Sequence, residues 1–259
     1  MVHDNQSDNN RHAHCGLERI TEFRSLPEKT RQQLRSICAV HELAASDTLA
    51  HQGDEVRRVY FVRSGLLRMQ KQLADGRIQI VGLLPKEHMV GTVFVEKHFF
   101  AVEAAAPTEV ISFEARQFKS AVSTTPELEQ ILFRAFQDEV DATLNWLLLL
   151  SHTKVRPRLA GLLIILLSKY EKPLKLMDSR QNTLSLKIPI SRVDMSNLLG
   201  VRPESLSRAF HALADDGLIE IMKHDHVRIV DVDGLMMEVG DPELFGPEPD
   251  VHVGGKASK

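Results

Sequence analysis

The chain is poor in cysteine. Two in 259 residues, Cys15 and Cys38, exclude a disulfide-stapled secreted scaffold and any metal site drawing four thiolates from one chain. A reducing cytoplasm fits that count. An export signal is also missing, because residues 1–10 are polar and acidic with no charged start leading into an apolar core. Long apolar runs are lacking too. Trp146 to Leu150 and Leu159 to Leu167 are separated by polar and charged residues, and each falls short of the roughly 18 apolar residues a membrane span needs. They read as buried helices, with no membrane partner. Gly-x-Ser-x-Gly, a phosphate-binding loop and His-Glu-x-x-His do not occur, so the chain is not read as an enzyme.

What is present is an ordinary folded composition, 43% hydrophobic and 26% charged, enough for one or two domains. Residues 1–16 are rich in Asn, Asp and His and read as a disordered tail. From 17 to 124, short Val, Ile, Leu and Phe runs alternate with glycine turns at Gly53, Gly65 and Gly76. Asp75-Gly76 suits a tight primed hairpin turn, and strands recurring every 8 to 12 residues predict a sandwich, barrel or roll.

After Thr125-Pro126 the period changes to that of a helix. Leu128, Ile131, Leu132, Ala135, Phe136, Val140, Leu144, Leu147 and Leu148 fall at spacings of one, three and four along a helix over 125–152, about 40 Å long. Its apolar stripe exceeds what a small domain uses, which predicts a homodimer seam through seven of these residues, Leu128, Ile131, Leu132, Ala135, Leu144, Leu147 and Leu148. A second apolar helix follows from Val155 to Tyr170, then a polar break to Asn182. Charge is uneven along this map: residues 153–230 hold 13 basic and 8 acidic residues, while 231–259 hold 2 and 7. The total of −3 therefore hides a basic segment at +5 followed by an acidic tail at −5.

The basic segment carries the informative motif. Ser191 is a natural N-cap with Asp194 in the capping-box position, Gly200 ends the short helix, and Pro203 starts another whose inner face is Leu206, Phe210 and Leu213. Two short helices joined by a glycine turn form a helix-turn-helix, and the strands at 218–221 and 226–230 add a wing. Glu204, Ser205, Ser207 and Arg208 lie on the faces the core does not use. Arginine can bond guanine with two donors, glutamate can accept from cytosine, and serine serves either role. Ser191, Arg192 and Arg202 stand where helix ends and cations meet phosphate. On that reading, losing Arg192 weakens binding to every sequence alike.

With these residues in place the chain resembles the Crp/Fnr family of bacterial transcription regulators over residues 17–232. The roll half carries the resemblance through Gly53-Asp54, Tyr60 to Gly65 and Asp75-Gly76-Arg77, and the other half through the winged helix-turn-helix. The resemblance implies an α+β fold: an N-terminal cyclic-nucleotide-binding-type β-roll (jelly roll) over 17–124, a long dimerisation helix over 125–152, a C-terminal winged helix-turn-helix over 153–232, and an acidic flexible tail over 233–259. It implies a homodimer on double-stranded DNA that works with RNA polymerase. Glu204, Ser207 and Arg208 form the Glu-x-x-Ser-Arg arrangement of the Fnr and FixK branch, whose site is TTGAT-N4-ATCAA. Oxygen, redox or nitrogen-oxide control is the implied setting.

The sensor motifs depart from the nucleotide-binding members. Gly91-Thr92 stands where Gly-Glu would hold the ribose, and Val93 to Ala106 contains no arginine for the cyclic phosphate, which argues against a cyclic nucleotide. Four cluster thiolates are not available. His14 and Cys15 are candidate metal ligands, Cys38 reads as a small core residue, and haem stays open with His14, Cys15, His88 or His98 as axial candidates. A regulator controlled by its own abundance is equally compatible. The rival reading is a nucleotide- or small-ligand-binding regulatory module whose C-terminal domain makes protein contacts.

Overall fold

The structure, a computed structural model, describes residues 15–92, 94–169 and 184–240. The chain divides into two compact units, Met1–Asp141 and Ala142–Lys259. The expected tails over 1–14 and 241–259 and the polar break over 170–183 lie outside the described residues.

In the first unit, 3-10 turns at Leu17–Arg19 and Thr21–Ser25 lead into α1 (Glu28–Ile37). Eight strands follow: β1 (Cys38–Leu43), β2 (Thr48–Ala50), β3 (Arg58–Ser64), β4 (Leu67–Gln72), β5 (Ile78–Leu84), β6 (Met89–Val90), β7 (Ala101–Ala104) and β8 (Thr108–Glu114). They form two four-stranded sheets, ordered β1-β8-β3-β6 and β2-β7-β4-β5. The period-2 alternation of β3 explains the layering. Tyr60 and Val62 join the core between the sheets with Leu43, Leu67, Leu84, Val102 and Val110. Val59 and Phe61 point the other way, into a second core. There Phe23, Phe61, Phe113 and Phe118 pack with ring centroids 4.9 to 6.2 Å apart. Gly65 closes the turn between β3 and β4 at φ +90°, and a Cβ there would lie 2.3 Å from the Pro107 carbonyl oxygen. No other residue type fits that approach.

Two helices follow: α2 (Ala115–Thr124), which the sequence reading had left inside the roll, and α3 (Pro126–Ser151), which starts in this unit and runs on into the second. The Asp75-Gly76 hairpin forms, but by a longer connection than a two-residue primed turn. Leu73 N–H donates to the Arg77 carbonyl, Gly76 N–H donates to that of Leu73, and Gly76 sits at φ +84°.

The cysteines depart from expectation. Cys15 and Cys38 are joined as a disulfide across 23 residues of sequence, and both are buried in the second core. Cys15 is thus neither in a mobile tail nor offered to a metal. The cause is the apolar run Leu17, Ile20, Phe23 and Leu26, which docks this segment on β1 and the phenylalanine cluster.

The second unit holds α4 (Val155–Lys169), β9 (Leu184–Lys187), α5 (Arg192–Leu199), α6 (Pro203–Asp215), β10 (Ile219–Lys223), β11 (His226–Ile229) and α7 (Val232–Val239). From Leu159 to Leu166 α4 is buried nearly all round, as that apolar run requires. The wing is a three-stranded sheet, β10-β11-β9, its extra strand unforeseen in the sequence. α7 corrects the flexible tail expected from 233: Leu235 and Val239 are buried, Asp231 caps the helix through the Gly234 N–H, and Glu238 pairs with Arg156 at 2.6 Å.

Candidate nucleic-acid interface

Local chemistry sets the helix pair. Ser191 Oγ accepts from the Asp194 N–H at 3.0 Å while the Asp194 carboxylate accepts from the Ser191 N–H, so the expected capping box closes. Gly200 ends α5 at φ +64°, a left-handed conformation that glycine adopts freely. Pro203 occupies the first turn of α6, where its missing N–H costs nothing. Arg158 of α4 fixes the far end of α5, donating to the Leu199 carbonyl at 3.0 Å and to that of His152 at 2.7 Å.

α6 then sorts its side chains by face. Leu206, Ala209, Phe210 and Leu213 are buried. Glu204, Ser207 and Arg208 are exposed and Ser205 is half-buried, with Arg208 donating to Ser205 Oγ at 3.3 Å. Arg202, at the N-cap, is exposed and makes no side-chain capping bond. Among the described residues no carboxylate pairs with Arg202 or Arg208, whereas Arg156 is held by Asp216 and Glu238 and Arg228 by Glu220. Two cations near the start of α6 are thus left without a carboxylate partner among the described residues. Lys223 and His224 at the wing turn are also exposed. The sequence reading passed over them, although a lysine at a hairpin turn of a basic segment was a usable signal.

Arg192 behaves differently from its neighbours. Its Nε donates to the His224 carbonyl at 2.9 Å, its guanidinium carbon lies 3.3 Å from the Phe210 ring centroid, and its Nη1 is buried with no hydrogen-bond partner among the described residues. Burial pulls its pKa below the usual arginine value, with Asp225 opposing. The side chain ties α5 to the wing and to α6.

On α3 the seven expected seam residues separate. Leu128, Ile131 and Leu132 are buried in the roll's own core, which takes them out of any seam. Ala135 is half-buried. Leu144, Leu147 and Leu148 are exposed, and with them Phe136 and Val140 of the expected stripe and Phe133, none of which the sequence reading had assigned to the seam. The exposed set repeats at three and four residues along the outer face.

The loop that starts at Gly91 offers few cationic groups among the described residues. Gly91 sits at φ +77° against the Arg58 carbonyl and His98, but the nearby described segment presents exposed Phe94, Lys97 and Phe99 and no arginine. Arg58 is engaged at 3.0 Å with Ser112 Oγ, which also meets His41 Nε2 at 2.7 Å. Of the axial candidates, His14 lies outside the described residues and Cys15 is in the disulfide. His88 faces Glu139 at 3.8 Å. His98 is half-buried, its backbone tied to Gly53 and Asp54, and burial lowers its pKa against the opposing charge of Asp54.

A β-roll of cyclic-nucleotide-binding type, joined through a long helix to a winged helix-turn-helix, defines a class of DNA-binding transcription regulators. Residues 157–237 match the Crp-like helix-turn-helix domain and residues 40–125 the cyclic nucleotide-binding domain. The transcriptional activator protein FnrL of Cereibacter sphaeroides is 32% identical over 197 residues, covering 76% of this chain and 79% of that protein. The activator FnrA of Stutzerimonas stutzeri is 30% identical over 200 residues, covering 76% and 79%. The solved structure of FixK2 from Bradyrhizobium japonicum superposes with a TM-score of 0.65 at 22% identity, covering 78% of this chain and 96% of that one. The chain belongs to the Crp/Fnr family of DNA-binding transcription regulators, and it is not an enzyme.

Proposed function

We propose that the chain acts in the cytoplasm as a homodimeric activator that binds TTGAT-N4-ATCAA-like palindromes and recruits RNA polymerase, in genes linked to oxygen, redox state or nitrogen oxides. The observation that carries the reading is the exposed face of α6, where Glu204, Ser207 and Arg208 stand together near Arg202, which no carboxylate pairs among the described residues. These groups have the chemistry to read base edges and neutralise phosphate. Six apolar side chains exposed along α3 supply a self-complementary surface for a two-fold dimer, whose symmetry matches an inverted repeat. The names of similar proteins, transcriptional activators such as FnrL and the nitrogen fixation regulation protein FixK, support activation and the signal class. No cyclic nucleotide or four-cysteine cluster enters this proposal.

The test is a mobility-shift titration of the full-length protein on the TTGAT-N4-ATCAA duplex and on single-base variants. Tight binding that falls about tenfold or more with each change in TTGAT supports the assignment. Equal binding to all duplexes removes it.

A further inference from the structure

Both cysteines of the chain are spent on one bond, and its position is informative. The disulfide joins Cys15, just before the first 3-10 turn, to Cys38, the first residue of β1. The loop it closes contains Leu17, Ile20, Phe23, Leu26 and Leu34, all buried in the core that also takes Leu128, Ile131 and Leu132 from the first turns of α3. The segment crosses the roll closely. Gly16 adopts φ +58°, and a Cβ there would lie 3.1 Å from the Arg63 guanidinium carbon, which is itself paired with Glu109 at 2.7 Å.

We propose that Cys15–Cys38 is a thiol–disulfide exchange site through which a dithiol reductant controls the docking of residues 15–37, and with it the packing at the start of α3. This rests on the cytoplasmic reading above. In a reducing compartment a persistent disulfide is uncommon, and the cytosolic ones that occur are mostly catalytic or redox-sensing. The reaction balances as a two-electron exchange. A thiolate of the dithiol attacks one sulfur and displaces the other as a thiolate, its second thiol then releases the mixed disulfide, and two protons leave Cys15 and Cys38 as thiols while the dithiol becomes a disulfide. Cys15 is 2% exposed and Cys38 fully buried, so attack requires the segment to lift first. Reduction then removes the cross-link that limits how far the segment can open, and the core beneath α3 loosens.

The test compares full-length wild-type protein, oxidised and after dithiothreitol, by hydrogen exchange and by operator titration, with Cys15→Ser as a cross-link-free control. Expected are exchange roughly tenfold or more faster over 17–34 and 128–132 in the reduced protein and in Cys15→Ser, and operator binding weaker by about fivefold or more on reduction. Superimposable exchange in the two redox states overturns the proposal. So does titration of two free thiols per chain in unreduced protein, or operator affinity indifferent to reduction. Exchange is read without DNA, so loss of TTGAT specificity would refute the operator reading while this arm still decides the redox site.

Discussion

Arg208, Arg202 and Arg192 lie within 17 positions of one another and differ in what holds them. Arg208 is exposed and bonded to Ser205 alone among the described residues. Arg208→Ala should cost about 1 to 3 kcal/mol in operator binding and relax specificity at the guanine step, measured by titrating operator variants. Arg202→Ala should weaken all duplexes alike and flatten the slope of log affinity against log salt by about 1. Arg192, stacked on Phe210 and bonded to the wing carbonyl, should act through position. Arg192→Met is expected to lower affinity with the salt slope unchanged, and a slope reduced as in Arg202→Ala would return it to the phosphate contacts. His98 sets a pH dependence. Its lowered pKa means the folded chain holds fewer protons than the unfolded one just below about pH 6.5. Stability therefore falls as pH drops through that window, and His98→Gln should shrink the fall in thermal midpoint between pH 7 and 5.

At the scale of elements, α3 is used on two sides. Its inner face is spent in the roll core and its outer face is open, so Leu147→Glu should leave the roll folded while driving sedimentation toward monomer. The last turn of α3 also meets α4 closely, because a Cβ on Gly161 would lie 2.3 Å from Leu149 Cδ1 and Leu149 is 1% exposed. Gly161→Ala should destabilise by about 1 to 3 kcal/mol, seen as a lower thermal midpoint. What could be read from sequence follows the range of the interactions. The capping box of Ser191 and Asp194, the stop at Gly200, the start at Pro203 and the length of α3 are local, written in spacings of three and four. The bond from Cys15 to Cys38, the ion pair from Arg156 to Glu238 across 82 positions and the tether from Arg192 to His224 across 32 join distant segments. No spacing rule encodes them. The seam shows both limits: periodicity found the stripe, but only burial could divide it between the chain's own core and its open face.

At the scale of the whole molecule, the net −3 says little about partners, because it sums a basic segment and an acidic end, and within the second unit Arg156 and Arg228 are neutralised while Arg202 and Arg208 meet no carboxylate among the described residues. One feature of the architecture bears on how a signal can travel. α3 is a continuous helix of 26 residues that begins in the roll's core and ends in the unit carrying α6. It is about 39 Å long, so it works as a lever arm. A tilt of about 5° at Leu128 displaces Ser151 by about 3 Å. Half-sites one helical turn apart, roughly 34 Å, require two recognition helices to arrive together. On the proposed dimeric reading, a small tilt beneath the first turns of α3 would therefore be felt where the two half-sites must be met together.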